Sequence, residues 1–159
     1  MLVSPALPSR PLAALLMLLA GLLSGPAGAR AEEKVKVTVV AILATGRNQT
    51  VDPKLKCVAD EVQKLDPKLT GFSLAKNTSK SLPVGTAADF PLVDKQKASV
   101  TVQHGPDKDN RVGLVVKPPG LGEIAYTTCC GKYFPIVTRY QTKDKDRLII
   151  AIMVKPCSK

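Results

Sequence analysis

Residues Lys34–Thr45 (KVKVTVVAILAT) begin as an alternation of charged and apolar side chains and end apolar on both faces. Val35, Val37, Val39, Ala41 and Leu43 share one side, while Val40 and Ile42 fill the other. Enrichment in β-branched residues and the Gly46-Arg47-Asn48 turn that follows specify a strand rather than a helix. A strand apolar on both faces belongs inside a sheet that is covered on both sides. That requirement fixes more of the fold than any other segment does.

The cover for one face comes next in the chain. Asp52-Pro53 is a helix start, with Asp52 as N-cap and Pro53 at the first helical position. Leu55, Val58, Ala59, Val62 and Leu65 then recur at helical spacing as one apolar stripe, and Asp66-Pro67 ends it. Cys57 falls off the centre of that stripe, at the helix flank.

From Gly71 onward the pattern is β. Phe72–Ala75, Ala88–Val93 and Ala98–His104 are short strands separated by Lys, Pro and Gly. The stretch Gly105–Asn110 is a turn by composition, and Arg111–Lys117 (RVGLVVK) returns as the partner of Ala98–His104. The last segment, Glu123 to Cys157, reads as two strands around a turn: GEIAYTTCCGKYFPIVTRYQT, then KDKD, then RLIIAIMVKPC. Arg147–Lys155 within it is the most continuously apolar run after the amino terminus, so Ile150, like Val39, is expected in a central strand. The fold class is α+β: one N-terminal strand and one amphipathic helix followed by a mostly antiparallel sheet.

The amino terminus has the pattern of a secretory signal peptide. Arg10 supplies a positive n-region, Leu12 to Leu23 is an apolar stretch too short to span a bilayer, and Pro26 and Gly28 break it. Ala29-Arg30-Ala31 offers small residues where a signal peptidase needs them. Cleavage is expected between Ala31 and Glu32, leaving residues 32–159 as a single exported α+β domain, periplasmic or secreted. Loss of Arg10 and Arg30 leaves 21 basic residues against 13 acidic ones, a net charge of about +8. Lysines account for most of the excess and form no block, which is the pattern of a solvated surface attracted to anionic envelope polymers. Few aromatics and no nucleic-acid module make nucleic acid an unexpected partner. The expected partner is a protein or an anionic envelope polymer, and no cofactor is called for.

Four cysteines in an exported domain point to disulfides. If Thr142 pairs with Arg147 across KDKD, Cys157 falls opposite Lys132, close to Cys129 and Cys130. Cys157 is then expected to bond one of that pair and Cys57 the other, because neighbouring strand residues point to opposite faces. A metal or redox site built from Cys129, Cys130, Cys157 and His104 is the alternative, since soft metals take thiolate and imidazole ligands. No Cys-x-x-Cys spacing supports it. His104 beside a Gly-Pro turn reads as a hydrogen-bonded surface imidazole, and Asp107 and Asp109 as turn formers. No nucleophile, base or carboxylate pattern presents itself, so an enzyme is not expected. Asn48 and Asn77 begin N-glycosylation sequons. Tyr126, Tyr133, Phe134 and Tyr140 gather around the cysteine pair, which reads as cross-strand packing, with a docking patch as the alternative.

The run Phe134-Pro135-Ile136-Val137-Thr138-Arg139, a polar turn and Arg147-Leu148-Ile149-Ile150 resemble the closing strands of bacterial secretins. Gly105–Lys117 is similar to the polar turn and strand upstream of them, so the resemblance covers roughly Ala88 to Val154. Ala151-Ile152 stand where that family has paired glycines, and the cysteines are foreign to it. The resemblance implies a small envelope domain with secretin-like strand order rather than an outer-membrane pore. The whole chain also resembles short exported bacterial proteins.

Overall fold

In the computed structural model, which describes residues 33–156, β1 (Lys34–Thr45) lies inside a four-stranded antiparallel sheet. The sheet order is β2 (Gly71–Pro83), β1, β8 (Arg147–Pro156), β7 (Tyr133–Gln141). The expected signal segment 1–31, the expected cleavage point between Ala31 and Glu32, and Cys157 lie outside the described residues. A second antiparallel sheet holds β3 (Ala87–Pro91), β4 (Lys97–His104), β5 (Arg111–Lys117) and β6 (Ile124–Cys129) in that order. Among the described residues the protein is therefore α+β, with α1 (Lys56–Leu65) and eight strands.

The double-sided apolarity of β1 has the consequence expected of it. Val35, Val37 and Val39 point into a core between the two sheets, where Ile150 and Ile152 of β8 meet Val100 of β4 and Leu114 of β5. Val40, Ile42 and Ala44 point the other way and meet Val58, Ala59 and Val62 of α1. Val39 and Ile150 are both buried in central strands. Burying these aliphatic side chains on both faces is the main favourable term for a domain of this size.

Asp52 caps a short 3-10 turn, Pro53–Leu55, accepting from the Lys54 amide at 2.9 Å, and α1 proper begins three residues later than expected, at Lys56, behind Leu55, which gives it no side-chain cap. One member of the expected stripe departs. Leu65, the last residue of α1, is 70% exposed. The helix reaches its end at Asp66, so its final side chain has nothing beneath it.

Three further expectations are corrected. Glu123–Thr142 is not one strand: it is β6 and β7, which belong to different sheets. The corner between them is Cys130-Gly131-Lys132, where Gly131 adopts a φ of +82 that only glycine takes without strain. The hairpin turn is shorter than KDKD, because Thr142 donates to the Asp146 carbonyl and Lys145 takes φ +64, which leaves a three-residue loop. Gln141 consequently faces Arg147, and an irregularity between Val137 and Gln141 brings Tyr133 opposite Met153. Finally, β2 runs well past Ala75 to Pro83, paired with β1 throughout, with Ala75 as an extra residue at a bulge. Its polar, lysine-bearing composition hid a strand that has one edge in water.

Candidate functional site

The helix lies over its sheet and approaches the edge strand β7 most closely, with Val137 of that strand packed into the core beneath it. Leu55, Val58, Ala59 and Val62 hold α1 over β1 and β8, while β7 is the outermost strand on that side. Between the flank of α1 and the start of β7 runs a groove of about 740 Å³. Cys57, Val58, Glu61, Lys64 and Leu65 form its helical wall, and Gly131, Lys132, Tyr133, Phe134 and Pro135 form the other. Two of these are large side chains left in water on facing walls, Leu65 and Tyr133 at 39% exposure, whereas Phe134, at 37%, shares the inter-sheet face of β7 with Ile136.

The aromatic set read from the sequence is only partly brought together. Tyr126 of β6 stacks on Phe134 of β7 with ring centroids 4.1 Å apart and planes at 21°, so this pair bridges the two sheets at their shared edge. Tyr133 lies beside them in the groove. Tyr140 is separate, its hydroxyl donating to Asp94 at 2.9 Å, and that bond holds its pKa above the ordinary phenol value. Burial raises the Tyr126 pKa too, and its buried hydroxyl has no hydrogen-bond partner among the described residues. The packing reading is right for Tyr126; for Tyr133 the exposure favours the docking alternative.

Charge in the groove is asymmetric. Lys64 donates to Glu61 at 2.7 Å, one helical turn away, and this bond pushes the lysine pKa up. The Glu61 carboxylate is thereby neutralised. Lys132 has no ion-pair partner among the described residues and is the groove's uncompensated charge.

The candidate thiols separate. Cys57 is exposed on the groove wall. Cys129 ends β6 opposite Arg111, and Cys130 follows in the corner, packed against the core between the sheets. These three cysteines are free, with no bond from Cys57 to either member of the pair. The corner is tied to both sheets' surroundings by two amides: Cys130 donates to the Asn110 carbonyl at 3.0 Å, and Gly131 to that of Val154 at 2.8 Å. Burial, then the neighbouring Cys129 and Asp107, push the Cys130 pKa up, so its thiol is a poor nucleophile and a poor metal ligand at neutral pH.

His104 stands apart from the cysteines, on β4 opposite Gly113, two strands from β6. Its Nδ1 bonds the Gly105 carbonyl at 2.9 Å, and its ring lies over Gly113, where an added Cβ would stand 2.4 Å from Nε2. It is exposed and hydrogen-bonded, as its turn context implies. Among the described residues no three His, Cys, Asp or Glu side chains gather as a metal site; any set with Cys157 lies outside them. Asp107 is the turn former read from the sequence, accepting from the Asp109 and Arg111 amides at 2.9 Å. Of the sequons, Asn48 folds back to accept from the Thr50 amide at 3.0 Å, whereas Asn77 stands exposed on β2.

No family model, curated protein or solved structure matches this chain. Among the described residues no helix is long and apolar enough to cross a membrane. The groove is what sequence reasoning missed. Its one available signal was the position of Leu65, at the last turn of a stripe that Asp66-Pro67 cuts off.

Proposed function

We propose that this chain is an exported, non-enzymatic domain that acts by binding or assembly in the cell envelope, with the groove between α1 and β7 as its binding face. The observation that carries the reading is the pair Leu65 and Tyr133, large apolar side chains left in water on facing walls of one groove. A small domain with a well-filled core has no internal need to leave them there, and contiguous exposed apolar surface marks interaction sites. The signal-like amino terminus and the secretin-like segment from Ala88 to Val154 favour the envelope as the setting. The excess of lysine favours an anionic partner surface.

The alternative is a thiol-dependent metal-handling or redox protein using the cysteine pair. The raised pKa of Cys130 weighs against it, and so does the distance in the fold between the pair and His104.

A photo-crosslinking residue placed at Leu65, with a second placed at exposed Lys76 on the opposite edge strand as control, tests the binding face in intact cells. A discrete adduct from position 65 and none from 76 is expected. Equal labelling from both positions, or none from either, overturns the assignment of the groove.

A further inference from the structure

Resting on the groove as the binding face, we propose that its ligand is a free anionic amphiphile: one aliphatic chain ending in a carboxylate. Three features of the walls select that chemistry. Leu65 on the helix and Tyr133 and Pro135 on β7 present apolar surface from the two sides, and the helical wall from Cys57 to Leu65 is about 12 Å long at 1.5 Å per residue. Its volume of about 740 Å³ is of the size that holds small molecules in a mostly apolar cleft with a few polar groups. Among the described residues the groove's one unpaired charge is the cation of Lys132, because Glu61 is held by Lys64 at 2.7 Å. A chain with one negative end meets both conditions at once. A cationic or uncharged amphiphile meets only the first.

The strand edge argues against a peptide laid along β7. Pro135 has no amide hydrogen to give to an added strand, and Lys132 places a charge where such a strand would begin. The groove is therefore better suited to aliphatic matter that makes no backbone ladder.

The test is titration of the mature protein with dodecanoate below its micelle concentration, followed by calorimetry and by amide shifts in a two-dimensional NMR spectrum. Saturable binding is expected, with shifts concentrated at Leu65, Lys132 and Tyr133. Lys132→Glu should weaken dodecanoate at least about tenfold, the scale of a lost charge-assisted bond, and should favour dodecyltrimethylammonium instead. Leu65→Ser should weaken both amphiphiles alike. Each substituted side chain is exposed, so the fold is kept. Scattered or absent shifts overturn the proposal, and so does a Lys132→Glu variant that binds dodecanoate as tightly as the wild type. Tighter binding to vesicles of anionic phospholipid than to monomeric dodecanoate also overturns it, in favour of a membrane surface. If dodecanoate fails while the crosslink from position 65 persists, the binding face stands and only the ligand class falls.

Discussion

Tyr126 shows how one residue can serve packing and carry a cost at the same time. Its ring stacks on Phe134 and closes the edge of the core, but its hydroxyl is buried without a partner among the described residues. An unsatisfied buried donor is expensive, whereas removing it leaves the ring contact intact. Tyr126→Phe should therefore raise stability by about 1 kcal/mol, read from urea unfolding. The sign of the pH effect follows from the same burial, which raises the Tyr126 pKa in the folded state. Stability is complete below the unfolded phenol value near 10 and falls as pH climbs above it, because the unfolded chain then gives up its proton first. The phenylalanine variant should lose less stability than the wild type between about pH 9 and 11. An identical alkaline fall in both would mean the hydroxyl is not buried as described. Nothing in the sequence marks this tyrosine out from Tyr133 or Tyr140, since the three differ only in what the two sheets place around them.

At the scale of elements, the strands that bury both faces were legible throughout, whereas the edge strand β2 was legible only in its first residues. β1 and β8 declare themselves because their composition has a single explanation, a covered sheet. β2 is an edge strand, and its mixture of Lys, Ser, Thr and Asn reads equally well as loop. The division of Glu123–Thr142 between two sheets was hidden for a related reason. Cys130-Gly131-Lys132 turns a corner with one glycine, and a lone glycine in a strand pattern also fits a simple bulge. The groove inherits this difficulty, since one of its walls is the Gly131–Pro135 stretch that leaves the corner and begins β7. The register of the last hairpin depends on Thr138, fully buried at the irregularity between Val137 and Gln141. Its hydroxyl donates to the Leu148 carbonyl at 2.7 Å and accepts from the Tyr140 amide at 3.2 Å, replacing ladder bonds that the bulge removes. Thr138→Val keeps the shape and strands both groups, so a loss of about 1–3 kcal/mol is expected in urea unfolding with the slope unchanged. A loss within about 0.5 kcal/mol, the range of an ordinary surface change, would mean that something else holds the bulge.

For the molecule as a whole, the open matter is how three layers are fastened at the end where the chain stops. The helix, the sheet around β1 and the sheet around β5 are held by two apolar cores. At one end they converge on the Cys129–Lys132 corner, which hydrogen-bonds the β4–β5 turn through Cys130 and β8 through Gly131. The Gly131 bond goes to Val154, and Cys157 follows three residues later in the sequence. We propose that Cys157 forms a disulfide with Cys129 or Cys130 once the chain reaches an oxidising compartment, each thiol giving its proton and electron to an external disulfide oxidant. Closing a loop of about 27 residues from Cys130 would contribute about 3.5 kcal/mol in the chain-entropy account. Mass spectrometry of unreduced peptides from the exported protein tests the compartment and the bond together. The expected result is a chain beginning at Glu32 with Cys157 joined to the Cys129–Cys130 peptide. Reduction should then lower the unfolding midpoint. Recovery of Cys157 as a free thiol, or joined to Cys57 across the groove, would sink the pairing. The second outcome would also place a covalent strap on the helical wall that the amphiphile is proposed to use, and dodecanoate binding would then have to be measured again on the reduced protein.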